Sequence, residues 1–420
     1  MTVLDTKHLH QLMAYEASRT APPHKFPALP PISAARYTSP EFLSLEKEHL
    51  FGKTWLLAAH LDEIPEPGCF QRWDITGIPV IIVHTPDGKI RALLNRCSHR
   101  GAPVVIKQTG KRSRFICPYH GWNYGSDGEL LAVTSERDFD NLDKSCLGLK
   151  QLPCETLGKL IFVNFDQHAQ DLKQSLGSLV DEWPEFDLDN CRLARRDRFV
   201  VHCNWKIAME ANLEVYHVPM IHGDTIAAML DSKRNVNTFY PGGHGRMIAP
   251  KPSAYSGKEW RSSWPEIATV SEIPRTCTLS YNVFPNLVMP LNQFVVPPIQ
   301  FWPNGIDQCI VETWTMGADW GEENPKGPDM WTEDEGHRPN QILREDFDLA
   351  EAIQSALHSK GDSQIRLSYQ EARIYYWHQY ADTLIGSANI PEPLHVPPVI
   401  SSQWVHPNEP RTTEAAIIDP

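Results

Sequence analysis

The sequence predicts an α+β chain. An all-β domain over residues 40–165 leads into a domain of antiparallel strands and helices over residues 166–387. Three observations predict this. Between residues 53 and 165, short apolar runs are separated by Gly, Pro and Asp turn signals, the punctuation of an all-β domain. From Asn204 to His217 the pattern changes to helical spacing, with Met209, Leu213 and Tyr216 on one face. A second helical segment, residues 340–359, follows a set of strand-like runs.

Residues 1–39 read as a lead-in that packs on the second domain. Residues 9–17 suit a short helix, and Pro22, Pro23, Pro27, Pro30 and Pro31 then force extended chain. Ser39-Pro40 is a cap followed by a first-turn proline, so a helix is expected to run to Leu50. Strands are expected at residues 55–57, 69–75 and 79–84, and Pro86-Asp87-Gly88 turns the last of these into residues 90–94.

The chain then presents Cys97-Ser98-His99-Arg100-Gly101. After a further strand, residues 114–116, it presents Cys117-Pro118-Tyr119-His120-Gly121-Trp122. Each arm sits at a strand end, carries one thiol and one imidazole, and has a glycine that permits a tight loop. Two cysteines and two histidines could hold zinc. They could equally hold a [2Fe–2S] cluster, with both thiolates on one iron and both imidazoles on the other. A zinc finger pairs its cysteines in one arm and its histidines in the other. Here both arms are mixed, which suits the cluster, with Cys97 and Cys117 on one iron and His99 and His120 on the other. Ser126-Asp127-Gly128 marks the next turn, and residues 159–165 form an apolar closing strand.

Residues 170–183 are weakly helical, and residues 196–202 read as a strand. In the helix that follows, Glu210, Glu214 and His217 share a stripe distinct from the apolar face. Pro219 ends it at His217 or Val218, and the break lets His222 turn back toward His217. The histidine spacing alone is a poor motif, and a site of two histidines and one carboxylate would need an acid from elsewhere in the chain. Strands are expected at residues 279–283, 287–289, 294–296 and 309–316, with turns at Pro285-Asn286 and Pro303-Asn304-Gly305. Residues 319–339 are acidic and rich in Pro and Gly, a surface excursion. In residues 340–359, Asp346 lies within the apolar stripe of Ile342, Leu349 or Ala350, Ile353 and Leu357. A buried carboxylate must be paired or bind metal, so Asp346 is the expected third ligand. Glu345, Asp348 and Glu351 fall off that stripe as solvated charges, with Glu345 or Asp362 next in line as ligand. Candidate apolar walls of the site are Val215, Met220, Met229, Tyr281, Val283, Leu287, Met289 and Phe294. Residues 388–420 form a proline-rich extended tail.

The net charge of -13 argues against nucleic acid or an anionic membrane as partner and would suit a basic electron donor. Of nine cysteines, seven lie outside the two arms without framework spacing, as in a reduced, cytoplasmic protein. The N-terminus has no signal layout, and no run of about eighteen apolar residues is present, so a soluble protein is expected.

Cys-x-His-Arg-Gly with Cys-x-Tyr-His-Gly-Trp, joined to Asn204-Trp205-Lys206 and His217-x4-His222, resembles Rieske non-haem iron oxygenases, in particular the large (alpha) subunits of the aromatic-ring-hydroxylating type. The resemblance covers about residues 40–360. Ala102, Pro103 and Tyr119 stand where respiratory Rieske proteins carry an extra disulfide pair, which favours the oxygenase branch. The resemblance implies a helix-grip catalytic domain, a mononuclear Fe(II) at His217, His222 and Asp346, and a homotrimer, possibly with a small beta subunit. It also implies mono- or dioxygenation of a small organic substrate with O2. Electrons would come from NAD(P)H through a flavin reductase or ferredoxin, since the chain has no flavin or nicotinamide motif. Glu214 would bridge His217 to His120 of the partner subunit. An aromatic substrate is expected. The alternative is a quaternary amine, because such members often carry glutamate at the bridging position and ring-dihydroxylating members usually carry aspartate. A pure electron carrier would leave His217, His222 and Asp346 incidental.

Overall fold

Residues 51–172 form one unit of the computed structural model, and residues 1–50 with 173–420 form the other. The described residues are 5–252, 264–321, 330–333, 338–359 and 364–405. Two helices open the chain, α1 (Thr6–Ser18), capped by Asp5, and α2 (Pro40–Leu45), capped by Ser39. A wider, π-helical continuation over Glu46–Phe51 carries α2 to its expected end.

The all-β unit has three small antiparallel sheets. Its strands are β1 (Leu56–His60), β2 (Cys69–Trp73), β3 (Val80–His84), β4 (Ile90–Leu94), β5 (Thr109–Lys111), β6 (Arg114–Ile116), β7 (Asn123–Gly125), β8 (Leu130–Ala132), β9 (Gln151–Leu152), β10 (Cys154–Leu157) and β11 (Leu160–Val163). They assemble in the orders β9-β4-β3-β2-β5, β10-β11-β1 and β6-β7-β8. The β3–β4 hairpin is pinned where the sequence marks a turn. Gly88 takes φ +78°, and its N–H donates to Thr85 O at 2.9 Å. Ile81 pairs with Leu93, and both are buried, so the register sets one apolar face against the core.

The unit begins at residue 51 and ends at residue 172, where 40 and 165 were expected, for two local reasons. Glu46, just past α2, is buried against Lys206 of the other unit's own core. At the far end, the Trp55 indole N–H donates to Gln170 O at 2.9 Å, and Leu172 N–H donates to Glu155 at 3.2 Å.

The second unit is built on a seven-stranded antiparallel sheet. Its strands are β12 (Arg192–Val201), β13 (Val236–Tyr240), β14 (His244–Pro250), β15 (Cys277–Val283), β16 (Leu287–Leu291), β17 (Ile299–Pro303) and β18 (Cys309–Gly317), in the order β12-β18-β17-β16-β15-β14-β13. Among its helices are α3 (Trp205–Glu210), α4 (Val218–Ile221), α5 (Gln341–Leu357) and α6 (Ala372–Ile385). The fold class is therefore α+β with antiparallel sheets, as the sequence predicts.

Three expectations need correction. Residues 294–296 are not a strand. Asn292 Oδ1 accepts from the N–H groups of Phe294 and Val295, a local turn that competes with the ladder, and the pairing strand is β17 instead. Strands β13 and β14 were not foreseen. The helix expected from Asn204 to His217 ends at Glu210, passes through a tight turn over Ala211–Leu213 and becomes extended at Glu214. Glu214 accepts from the N–H groups of Tyr216 and His217, the geometry of a residue that starts a new turn. Met209 and Leu213 are buried as expected, but Tyr216 is 60% exposed.

The lead-in packs on this second unit. Leu9 and Met13 are buried, Ile32 pairs with Ile365, and the Tyr369 hydroxyl donates to Glu16 at 3.0 Å. The tail is extended but anchored, with Leu394 O accepting from Arg36 at 2.6 Å and Pro397 O from Tyr375 at 2.9 Å. Among the described residues, no helix is long and apolar enough to cross a membrane.

Candidate metal centres

The two mixed arms close in the same way. In the first, Gly101 N–H donates to Cys97 O and Cys97 N–H to Ala102 O, each at 2.8 Å. In the second, Gly121 N–H donates to Cys117 O at 2.9 Å and Cys117 N–H to Trp122 O at 2.8 Å. Each glycine sits four residues after its cysteine with positive φ, +78° and +73°. A side chain there is strained, and at Gly121 a Cβ would also lie 2.9 Å from Thr134 Oγ1.

These loops bury both thiols in the unit's core, beside Phe115, Trp122 and Tyr124, and bring the imidazoles together nearer the surface. The His99 and His120 ring centres are 4.7 Å apart, and His99 stacks on Trp122 at 5.0 Å. The Tyr124 hydroxyl lies 3.2 Å from Cys97 Sγ and accepts from Ser98 N–H at 3.0 Å. Burial pushes the Cys117 thiol up, the N–H groups of Tyr119 and His120 pull it down, and the adjacent Cys97 raises it further. Burial, His120 and Arg100 hold His99 below its ordinary range, which keeps the neutral, ligating imidazole. Paired buried sulfurs with hydrogen-bond donors aimed at them, opposite paired imidazoles, fit a mixed-ligand [2Fe–2S] cluster.

In the second unit, His217, His222 and Asp346 each offer a ligand atom, all within 4.8 Å of one another. His217 sits at the start of α4 and His222 at its end, so one short turn carries both rings. Asp346 arrives on α5, whose first turn is set by Asn340 Oδ1 accepting from Leu343 N–H at 3.0 Å. Asp346 Oδ1 is 3.0 Å from His222 Nε2 and 3.6 Å from His217 Nε2. The far nitrogens are held elsewhere. His217 Nδ1 bonds Glu214, and His222 Nδ1 bonds Glu345 at 2.7 Å. Two Nε2 atoms converging on one carboxylate, each ring fixed by a second carboxylate, fit a divalent metal with open positions. Burial opposes a charge on His222, but Asp346 and Glu345 outweigh it and raise its pKa.

The residues expected at this site are differently disposed. Glu210 leaves the metal-facing stripe because its helix ends there. Its carboxylate takes the Tyr37 hydroxyl at 2.9 Å and faces His378 Nε2 at 2.8 Å. Burial lifts it to about 8, against the pull of Tyr37, Lys206 and Arg36. Asp346 reaches the site from a helix face that includes Ala350, one of the two expected alternatives, but not Leu349 or Ile353. The buried positions of α5 are Leu343, Ala350 and Gln354, while Leu349 and Ile353 are 43% and 41% exposed. Glu345 is no solvated charge. It also accepts from Thr225 at 2.8 Å and Gln341 at 2.9 Å. Its place directly before Asp346 was the one available signal. Asp362 lies outside the described residues.

Of the wall candidates, Val215 packs with Val218, Leu230, Met247 and Ala249. Met220 is 85% exposed. Tyr281 bonds Glu182 at 2.9 Å, while its neighbour Ser280 lies within 3.5 Å of Asn212 O, so the two point to opposite faces of the sheet.

Models of two protein families match the chain. The Rieske [2Fe-2S] domain matches residues 54–152, and the ring hydroxylating alpha subunit (catalytic domain) matches residues 188–387. The glycine betaine monooxygenase oxygenase subunit of Pseudomonas aeruginosa is 30% identical over 46% of this chain and 45% of its own length. The anthranilate 1,2-dioxygenase large subunit of Acinetobacter baylyi is 33% identical over 47% of this chain and 44% of its own. The matches therefore span less than half the length of these curated relatives. Among solved structures, naphthalene 1,2-dioxygenase from Rhodococcus sp. superposes with a TM-score of 0.71 at 24% identity, over 90% of this chain and 97% of that one. A quaternary ammonium Rieske monooxygenase superposes with a TM-score of 0.71 at 20% identity, over 87% of this chain and 100% of that one. At these identities the structural likeness speaks for the fold.

Proposed function

Because the chain belongs to the Rieske oxygenase large subunits, with a Rieske domain and a ring-hydroxylating alpha catalytic domain, we propose that it is the terminal oxygenase component of a hydroxylating system. The observation that carries this reading is the convergence of His217, His222 and Asp346 within 4.8 Å, in a chain that also carries the mixed thiol–imidazole arms. A ferrous ion and a [2Fe–2S] cluster, when bound, would supply dioxygen activation and one-electron relay. Cys97, Cys117, His99 and His120 would hold the cluster. His217, His222 and Asp346 would hold the single iron and leave one face open to dioxygen and substrate.

The remaining residues orient and hold protons. Glu214 accepts a hydrogen bond from His217 Nδ1–H, which leaves Nε2 free to ligate, and Glu345 does the same for His222. The second oxygen of Glu214 accepts from its own loop, from the N–H groups of Tyr216 and His217. That holds the carboxylate at the edge of the site. A homotrimer in which electrons cross through His120 of the partner subunit, Glu214 and His217 belongs to the same proposal and requires that this second oxygen also take the partner's imidazole. Inter-subunit electron transfer is described for one solved relative, the quaternary ammonium Rieske monooxygenase. A ferredoxin or flavin reductase drawing on NAD(P)H would deliver the electrons. Nine free cysteines are in keeping with the reducing cytoplasm.

An aromatic substrate is the first reading, in keeping with the match of residues 188–387 to the ring hydroxylating alpha subunit (catalytic domain). The quaternary amine remains a second reading on Glu214, which stands where ring-dihydroxylating members usually carry aspartate.

The reading is tested by iron analysis and turnover with a surrogate reductase and paired aromatic and quaternary-amine substrates. Purified without oxygen, the protein should hold about three irons per chain. Asp346→Ala should retain the cluster spectrum, drop to about two irons and form no product. Asp348→Ala should behave like the parent. Full iron content and turnover in Asp346→Ala would overturn the assignment.

A further inference from the structure

Charge is unevenly placed along this chain. Acidic residues outnumber basic ones by 52 to 39, yet residues 88–126 contain eight Lys or Arg and no Asp or Glu. That acid-free stretch holds both metal-binding arms. Two of its cations are neutralised by acids outside it, Arg91 by Asp87 at 2.7 Å and Lys111 by Glu66. Arg96, Arg100, Lys107, Arg112 and Arg114 are exposed and make no ion pair among the described residues.

The fold places four of these, Arg96, Arg100, Lys107 and Arg114, along or next to the arms. Arg96 Nε lies 3.6 Å from the position a Cβ would take on Gly101, so its side chain lies along the first loop. The Arg100 guanidinium sits 5.4 Å from the Tyr119 ring and so reaches the second. Asn95 ties the segment before Lys107 to the first arm. Its Oδ1 accepts from Val104 and Val105 N–H at 2.8 Å, and its Nδ2 donates to Val105 O at 2.7 Å. Arg114 and Ile116 share the outward face of β6, which runs straight into Cys117. Three residues of strand put Arg114 within about 10 Å of that ligand. Among the cations lie exposed apolar side chains, Ile106 at 64%, Ile116 at 48% and Tyr119 at 55%, next to the exposed His120.

We propose that this basic face is the docking surface for the electron donor, and that the donor is a small acidic redox protein. The inference rests on the function proposed above. The net charge of the whole chain points the other way, toward a basic donor. Fields of exposed charges fade within a Debye length, about 8 Å at physiological salt, so a docking partner responds to the nearby cations. An apolar patch ringed by like charges suits a transient electron-transfer contact, which buries less than about 1,200 Å². The step itself is the passage of one electron. The donor is oxidised by one, the group held by Cys97, Cys117, His99 and His120 is reduced by one, and no bond is made or broken.

The test uses the holoenzyme and a triple charge reversal, Lys107→Glu, Arg112→Glu and Arg114→Glu, which touches no metal ligand. The probe is an acidic plant-type [2Fe–2S] ferredoxin, with dithionite as a small-molecule reductant and a basic c-type cytochrome as an acceptor of opposite charge. The parent should bind the ferredoxin, and bind it more weakly as ionic strength rises. The reversal should cut affinity and cluster-reduction rate at least tenfold at low salt and flatten the salt dependence. Reduction by dithionite should be unchanged, and transfer to the basic cytochrome should not slow. Unchanged ferredoxin affinity and salt dependence would overturn the proposal. So would a smaller assembly by light scattering, which would make the face a contact between copies of this chain. If the ferredoxin reduces the parent but no substrate is ever hydroxylated, the docking surface stands and the oxygenase reading fails.

Discussion

At the residue scale, the candidate iron site depends on carboxylates that do not themselves meet the metal position. Glu345 carries three hydrogen bonds, from His222 Nδ1, Thr225 and Gln341. Burial pushes its carboxyl up, but those partners outweigh the burial and hold it below its usual range. It is therefore an anion that keeps the His222 proton on Nδ1 and turns Nε2 toward Asp346. Glu345→Gln removes that charge while keeping a carbonyl acceptor, and Glu345→Ala removes both. Iron affinity at the mononuclear site should fall by about 10- to 100-fold in Glu345→Ala and by less in Glu345→Gln. Competition against a chelator of known affinity measures this. Equal affinity in all three proteins would leave Glu345 as a surface partner of Thr225 only.

At the scale of elements, α3 is held from beneath by a buried ion pair. Lys206 and Glu46 are both fully buried, 2.8 Å apart, and the Trp205 indole donates to the same carboxylate at 3.1 Å. Burial lowers the Lys206 pKa despite Glu46. The pair joins the end of α2 to the helix whose next turn delivers Glu214 and His217. Lys206→Met strands a buried carboxylate and should cost about 3–5 kcal/mol in chemical denaturation. Adding Glu46→Gln to Lys206→Met should recover most of that loss. If the double variant is as unstable as the single, packing rather than charge pairing accounts for the cost. The helix break beyond α3 follows from the same local chemistry. Glu214 offers its carboxylate to the next two N–H groups, so the backbone leaves the helix and both histidines mount on one short turn.

At the scale of the whole molecule, the two candidate metal sites draw on different units. Cys97, His99, Cys117 and His120 lie within residues 51–172, and His217, His222 and Asp346 lie within the other unit. They share no ligand. The thiols are 2% exposed, whereas His217 is 20% and Asp346 12% exposed at their side chains. Anaerobic chelation should therefore strip about one iron per chain, abolish turnover and leave the visible spectrum intact. Ferrous iron added back should restore activity. Loss of the spectrum in step with the first iron would show that the two sites are coupled in stability.

Much of this was legible in the sequence, because the signals are local. The mixed arms, their glycines, the Pro86-Asp87-Gly88 turn and the cap at Ser39 each act within a few residues. The acid-free stretch around the arms is equally local, a plain run of letters. Other features only the tertiary structure decided. Glu345 and Asp346 meet His222 across 123 and 124 residues of chain. No helical or strand period carries information over that distance. The covered stripe of α5 includes Ala350 as expected, but Leu349 and Ile353 look apolar in sequence and face outward. Hydrophobicity marks which residues favour burial, but the seven-stranded sheet and the helices around it determine which face of α5 is covered. Composition fixed a net charge of -13, but the fold leaves Arg96, Arg100, Lys107 and Arg114 exposed beside the cluster loops with no ion pair among the described residues, and electrostatic fields in water are local.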